Sequence, residues 1–416
     1  MSEKKIIYYP PADKSITVRA LVIASLCSEK IIIKNPLISD DTVNSVKALI
    51  RLGVNIKNGS DFIEVTGKCK YGFHQRDIDC GESALFLRLI LPVLLNQKKT
   101  YRITGKKTLL RRSFKDTLSA FESMGAHIKH NNYHLPITVY PSELKPVKYR
   151  TSSAQTKSSL LIASLYTKGI KIIEDVKTRD HTERILEYLG CEIKRNSNKL
   201  YIAKNELKAK NLKICGDISQ AAVFITISLF ISREILVKNC GINPLRTGFL
   251  KAISDMGVVV KINNKRYISN ELVGDILIKP PKILKAIKIY NITPLIDEVF
   301  LIALLMASAD GASEIKNTEM IRNKESDREN EIINLLNMLG VSFKKGKNSI
   351  VIYGTKSFKK ISCIDTKGDH RLAMVAGILK IINNPKIKIK NKSCVSKTYP
   401  NFWDDLIKFV FFLKNN

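Results

Sequence analysis

Two kinds of hydrophobic stretch alternate along the chain, and the alternation repeats. The first kind is apolar on nearly every face: residues 20–26, 85–95, 160–165, 221–231, 299–306 and 372–382. A short polar opening precedes each run: Asp13-Lys14-Ser15, Gly81-Glu82-Ser83, Ser152-Ser153-Ala154-Gln155, Gly216-Asp217-Ile218-Ser219, Ile296-Asp297-Glu298 and Gly368-Asp369-His370. Counted from Ser15, Ser83, Ser153, Ser219, Asp297 and Asp369, the openings recur every 66 to 78 residues. The second kind is amphipathic and ends at a glycine followed by a strand-like segment: ALIRLGVNIK, AFESMGAHIK, ILEYLGCEIK, AISDMGVVVK and LLNMLGVSFK, with Gly53, Gly125, Gly190, Gly257 and Gly340 at the stop. Glycine directly after an apolar helical turn is a C-cap signal, because it enters the left-handed region without a Cβ penalty. β-branched segments between the helices read as strands. The pattern predicts an α/β protein of six repeats, each strand–helix–strand–helix–strand–strand. A helix apolar all round belongs inside its domain, so its polar opening must surface at one end. Six helix N-termini offer unpaired N–H groups and positive dipole ends, which suits anions.

A length of 416 residues exceeds one typical core and points to two domains. The openings differ between halves. The first three bring Lys14, Arg19, Arg88, Gln155 and Lys157, with Asp13 and Glu82 as their acids; the last three bring Asp217, Asp297, Glu298, Asp369, His370 and Arg371. One half reads as an anion holder, and the other adds groups able to move protons. The net charge is +31, from 69 Lys and Arg against 38 Asp and Glu. The basic residues are spread through the chain without a basic–aromatic tract or a finger spacing, which counts against nucleic acid as partner. Such a charge also draws in small multiply anionic substrates. Eight scattered cysteines form no CxxC pair and read as reduced, mostly buried side chains. His127, His130 and His134 read as a solvated turn rather than a metal site. No membrane-length apolar run and no leader-like N-terminus is evident, so a cytoplasmic protein is expected.

Several segments, in order, resemble a known family: PADKSITVRAL at 11–21, DCGESALFLRL at 79–89, SSAQTKSSLLIASL at 152–165, TRDHTERILEYLG at 178–190, GDISQAAVF at 216–224, GINPLRTGFL at 241–250, NKESDR at 323–328, GDHRLAM at 368–374 and VSKTYPNF at 395–402. They are similar to signatures of the enolpyruvyl transferase superfamily, and within it of the shikimate-pathway synthases. The resemblance implies a two-lobed α/β fold with three repeats per lobe, residues 1–11 and 217–416 in one lobe and 12–216 in the other. It implies addition of the 5-hydroxyl of shikimate 3-phosphate to C2 of phosphoenolpyruvate, then loss of phosphate, in a monomer with no metal or organic cofactor. By resemblance Lys14, Arg88, Arg112, Gln155, Arg328, Arg371 and Lys397 surround phosphoenolpyruvate. Lys14, Ser15, Arg19, Ser153, Ala154, Gln155, Thr178, Arg179, Asp297 and Lys324 hold shikimate 3-phosphate. Glu325 is the expected acid toward C3, Asp297 the base at the 5-hydroxyl with Lys14 sharing that role, and His370 and Lys397 stabilise charge. Glu325 lies three residues before Arg328, where an ordinary ion pair is the plainer reading.

Some positions depart from the family pattern. Ala12, Val18, Glu82, Ala84 and Leu85 replace commoner residues, and Glu82 places a negative charge near the expected phosphate pocket. The Leu110–Ser113 stretch lacks the usual proline, which leaves Arg111 and Arg112 as alternatives in register. Ala84 adds a methyl group in a pocket that also takes glyphosate in this family, so weak inhibition by it is expected. Two other readings are weighed. One is the relative acting on UDP-N-acetylglucosamine, which normally carries a reactive cysteine where residues 105–113 have none. The other is a basic nucleic-acid-binding protein without catalysis.

Overall fold

The computed structural model describes residues 5–67, 76–202 and 206–414. Cys69 and the first four residues of the N-terminal segment lie outside these. The chain divides into two compact units. The first comprises Met1–Pro11, Gly216–Arg266 and Leu272–Asn416; the second comprises Ala12–Cys215 and Tyr267–Glu271. Gly216 thus goes with the first unit, and a five-residue hairpin tip joins the second.

The repeat appears in the sheets. Among the described residues there are five four-stranded sheets and one two-stranded sheet. The third repeat is representative. Strand Lys148–Thr151 leads into helix Ala154–Ala163 and then strand Ile170–Glu174, which pairs parallel with the first strand. Helix His181–Tyr188 follows, and the hairpin Ile193–Asn196 and Lys199–Ile202 completes the sheet. The second repeat (Asp77–Val139) and the fifth (Lys288–Tyr353) run the same way. In the first and fourth repeats the leading strands are exchanged. Ile6–Tyr8 precedes the first repeat's helix in the chain but pairs with Ile235–Gly241 of the fourth. Leu212–Lys213 precedes the fourth repeat's helix but pairs with Lys30–Lys34 of the first. This exchange makes the chain cross between units. The sixth repeat departs from the predicted pattern: strands Cys363–Asp365 and Lys388–Lys390 pair, and helix Phe402–Lys414 follows in place of a hairpin.

The leading helices of the repeats are Lys14–Ala24, Ala84–Leu95, Ala154–Ala163, Ile218–Phe230, Val299–Met306 and His370–Ile382. They are buried almost end to end, as their all-round apolarity requires. In the first unit the last three pack on one another, which brings their N-terminal openings together. Five openings supply a side-chain N-cap: Asp13, Ser83, Ser153, Asp217 and Asp369 each accept a backbone N–H of the first turn. The five predicted stop glycines all have positive φ, from +69° at Gly340 to +96° at Gly190. A β-bulge at Lys238–Asn239 interrupts the fourth sheet, with Asn239 in the left-handed region. Asp275 on the facing strand holds it by accepting from the Asn239 N–H at 2.9 Å, from Asn264 at 2.8 Å and from Lys238.

Cys27, Cys80, Cys191, Cys215 and Cys240 are buried, while Cys363 and Cys394 are half-buried. His130 is not simply solvated: Nε2 lies 2.9 Å from Glu122, and the ring stacks on Tyr133. Among the described residues no helix is long and apolar enough to cross a membrane.

Candidate functional site

The second unit gathers cations. Arg88, on the first turns of its helix, is almost wholly buried, with the guanidinium over the Phe114 ring. It donates to Thr117 Oγ1 at 3.0 Å and to Gln155 Oε1 at 2.7 Å. Burial, then the nearby charge of Arg112, pulls its pKa down to about 9 against the opposing pull of Asp116. Arg112 is half-buried whereas Arg111 is exposed, so it is Arg112 whose charge bears on Arg88. Arg19 is buried too. It donates to Thr182 Oγ1 at 2.8 Å and to the Ser15 carbonyl at 3.0 Å. Burial lowers its pKa to about 10; Asp13 and Glu183 oppose this, and the like charge of Arg179 adds to it. Both arginines keep their protons near neutral pH, so each is a buried positive charge, beside a half-buried one, that an anion would stabilise. Lys14 reaches Asp41 Oδ2 at 2.9 Å. Ser153 caps its helix, Ala154 and Gln155 form the first turn, and all three are half-buried. Thr178 is turned inward, its hydroxyl donating to Glu174 at 2.6 Å. Lys157 does not join the anion holders: its ammonium is buried between Glu174 at 2.9 Å and Glu183 at 2.6 Å. Glu82 accepts from Thr108 at 2.8 Å.

The first unit gathers carboxylates around two buried arginines. Arg328 begins helix Arg328–Leu339. Its Nε donates to Asp369 Oδ2 at 2.9 Å, its NH2 to Glu325 Oε2 at 2.9 Å and its NH1 to the Ile296 carbonyl at 3.3 Å, with Asp297 at 3.7 Å. Desolvation works against this charge, but Asp369, Glu325 and Asp297 outweigh it and hold Arg328 above the ordinary arginine value. Arg246 donates to Asp217 at 3.2 Å, Ser219 Oγ at 2.8 Å and Asp297 Oδ2 at 3.1 Å. Ser219 in turn donates to Glu298. Three of these five carboxylates are closed off; the side chains of Asp297 and Glu325 keep 25% and 20% of their exposure. Arg371, in the first turn after Asp369, has a buried Nε with no hydrogen-bond partner among the described residues. His370 is buried beside it, Lys324 is half-buried, and Lys397 ends a 3-10 turn with Nζ 3.5 Å from the Gly368 carbonyl.

The model of the family EPSP synthase (3-phosphoshikimate 1-carboxyvinyltransferase) matches residues 4–406. The chain belongs to the EPSP synthase family. It is 34% identical to the 3-phosphoshikimate 1-carboxyvinyltransferase of Aquifex aeolicus, over 97% of this chain and 96% of that one. It is 35% identical to that of Petrotoga mobilis, over 94% of each. Among solved structures, the EPSP synthase from Acinetobacter baumannii superposes with a TM-score of 0.82 at 25% identity, over 96% of this chain and 94% of that one. The enolpyruvyl transferase NikO from Streptomyces tendae has a TM-score of 0.74 at 13% identity, over 98% of this chain and 94% of that one, and shares the fold. In this EPSP synthase family member the expected residues fall into two groups. Lys14, Ser15, Arg19, Arg88, Arg112, Ser153, Ala154, Gln155, Thr178 and Arg179 lie in the second unit, and Asp297, Lys324, Glu325, Arg328, His370, Arg371 and Lys397 in the first. Arg246 escaped the sequence reading. Its signal was a lone arginine two residues before an apolar helix in GINPLRTGFL, near the place Arg328 holds in the next repeat, where it begins the helix.

Proposed function

We propose that this chain transfers the enolpyruvyl group of phosphoenolpyruvate to the 5-hydroxyl of shikimate 3-phosphate and releases phosphate. The observation carrying this reading is a carboxylate network that buries three acids and leaves two, Asp297 and Glu325, part-exposed on buried arginines. That is the equipment an addition–elimination needs: one group for the hydroxyl proton and one for C3. In this reading the hydroxyl oxygen bonds to C2 of phosphoenolpyruvate while its proton passes to Asp297, with Lys14 sharing the role. Glu325 protonates C3. The tetrahedral intermediate then loses phosphate, and the same carboxylate takes a C3 proton back. His370 and Lys397 stabilise the charge that develops.

Anion binding follows from the cation groups. Arg88 and Arg112, with Gln155 on Arg88, hold the transferred phosphate, and Arg328 and Arg371 hold the carboxylate. Ser15, Arg19, Ser153, Ala154, Gln155, Thr178 and Arg179 take shikimate 3-phosphate, with Asp297 and Lys324 completing its contacts. Thr178 serves through its hydroxyl oxygen, accepting from a hydroxyl of shikimate 3-phosphate, since its hydroxyl proton and its backbone N–H both go to Glu174 and its carbonyl accepts from Lys157. The reading includes a cytoplasmic monomer that needs no cofactor.

The test is phosphate release from phosphoenolpyruvate by the purified chain, with shikimate 3-phosphate compared against UDP-N-acetylglucosamine. Release with the first acceptor alone is expected. Release with the sugar nucleotide alone, or salt-sensitive DNA binding without any release, overturns the reading.

A further inference from the structure

The carboxylate network contains two relays of similar order. In one copy Asp369 caps helix His370–Ile382 through the Arg371 N–H at 2.8 Å and takes Arg328 Nε at 2.9 Å, and Arg328 reaches Glu325 at 2.9 Å. In the other, Asp217 caps helix Ile218–Phe230 through the Ser219 N–H at 2.8 Å and takes Arg246 at 3.2 Å, and Arg246 reaches Asp297 at 3.1 Å. The capping aspartates hold equivalent places in their repeats, but Asp217 belongs to the same repeat as Arg246 whereas Asp369 belongs to the repeat after that of Arg328. Arg328 begins its repeat's second helix, Arg328–Leu339, and Arg246 lies two residues before its own, Gly248–Asp255. Each relay runs from a closed-off carboxylate, through a buried guanidinium, to a part-exposed carboxylate.

We propose that Arg246 is a positioning residue for Asp297, fixing its orientation and keeping it ionised; this rests on the role given to Asp297 above. The fork explains why the residue is arginine. One terminal nitrogen is anchored on Asp217 and Ser219 Oγ while the other meets Asp297 Oδ2 and lies 3.8 Å from Glu298. A lysine ammonium is a single point and cannot span both ends. The side chain is 3% exposed, so the attraction acts in a medium that screens it weakly. Asp297 faces Arg246 and Arg328, and the acids Asp217, Glu298, Glu325 and Asp369 lie on those same arginines. Removing one cation from this excess of carboxylates raises the proton affinity of Asp297.

The experiment compares Arg246→Met and Arg246→Lys with the wild-type chain in kcat, KM and the pH profile of kcat, using phosphoenolpyruvate and shikimate 3-phosphate. Circular dichroism and thermal unfolding identify folded variants. The methionine variant is expected to lose about 10²-fold in kcat with KM for shikimate 3-phosphate changed less than about threefold, and to shift the acidic limb of the profile up by about one pH unit. The lysine variant is expected to restore the limb while recovering kcat only in part. If the methionine variant does not fold, the lysine variant decides: a loss in kcat at unchanged KM supports the role. A folded variant with unchanged kcat, a rise in KM alone, or a loss in kcat with an unmoved limb in the methionine variant overturns it. A wild-type chain that releases no phosphate overturns the reading of Asp297 itself, which separates the two failures.

Discussion

At the scale of single residues, part-exposure separates Asp297 and Glu325, the two carboxylates proposed to move protons, from their closed-off partners. Glu325→Gln keeps the shape and the contact with Arg328 but cannot deliver a proton as an acid. A fall in kcat of about 10²-fold or more is expected, with shikimate 3-phosphate binding retained by calorimetry. Ala84 sits in the first turn beside the Arg88 pair, and its carbonyl accepts from Arg88 at 3.2 Å. Ala84→Gly removes a methyl group there, and the glyphosate concentration needed for half-inhibition is expected to drop at least about tenfold; the methyl contact sets the scale. Much of this site was legible because its residues stand in short runs: Glu325 and Arg328 lie three apart, and Asp369, His370 and Arg371 are consecutive. Arg246 and Asp297 are 51 residues apart, a pairing that no local spacing announces. Lys157 misled for the converse reason. It stands in an opening with the other cations, but Glu174 and Glu183, brought from the following strand and helix, take its charge inside.

At the scale of elements, the stop glycines were readable because a backbone requirement wrote a residue type into the chain. Gly53 has φ +88°, and nothing lies within 4 Å of the place a Cβ would take, so its constraint is conformational and not steric. Gly53→Ala should therefore cost about 1 kcal/mol in chemical denaturation, and Gly53→Asn less. Asp275 carries a different kind of element, the bulge at Asn239. Desolvation opposes its ionisation, but Lys238, the Asn239 N–H and Asn264 outweigh that and hold the carboxyl at about 2. A depressed carboxyl contributes stability above its unfolded pKa and loses it as pH falls through the folded one. Asp275→Asn should cost about 1–2 kcal/mol at pH 7, and the gap to wild type should close between about pH 4 and pH 2 in unfolding titrations. The exchange of leading strands was not legible. Ile6–Tyr8 has three residues and Leu212–Lys213 two, too few for alternation to show, and a backbone ladder does not record its partner in side chains.

At the scale of the whole molecule, a net charge of +31 surrounds reactants that carry several negative charges. KM for phosphoenolpyruvate should rise about threefold to tenfold between low and high salt in steady-state assays, because exposed charges more than a Debye length away are screened first. The exchanged strands have a further effect during synthesis on the ribosome. The second unit is contiguous apart from the tip Tyr267–Glu271, and Leu212–Lys213 closes its first sheet, so a growing chain can nearly complete it before the rest is made. His181 then waits for Glu271, its partner at 2.7 Å. Ile6–Tyr8 waits longer, bare on both edges, until Ile235–Gly241 emerges. A long apolar strand left so would invite pairing with other nascent chains. At three residues it offers little to pair with, so the shortness that hid this strand from the sequence also protects the unfinished protein.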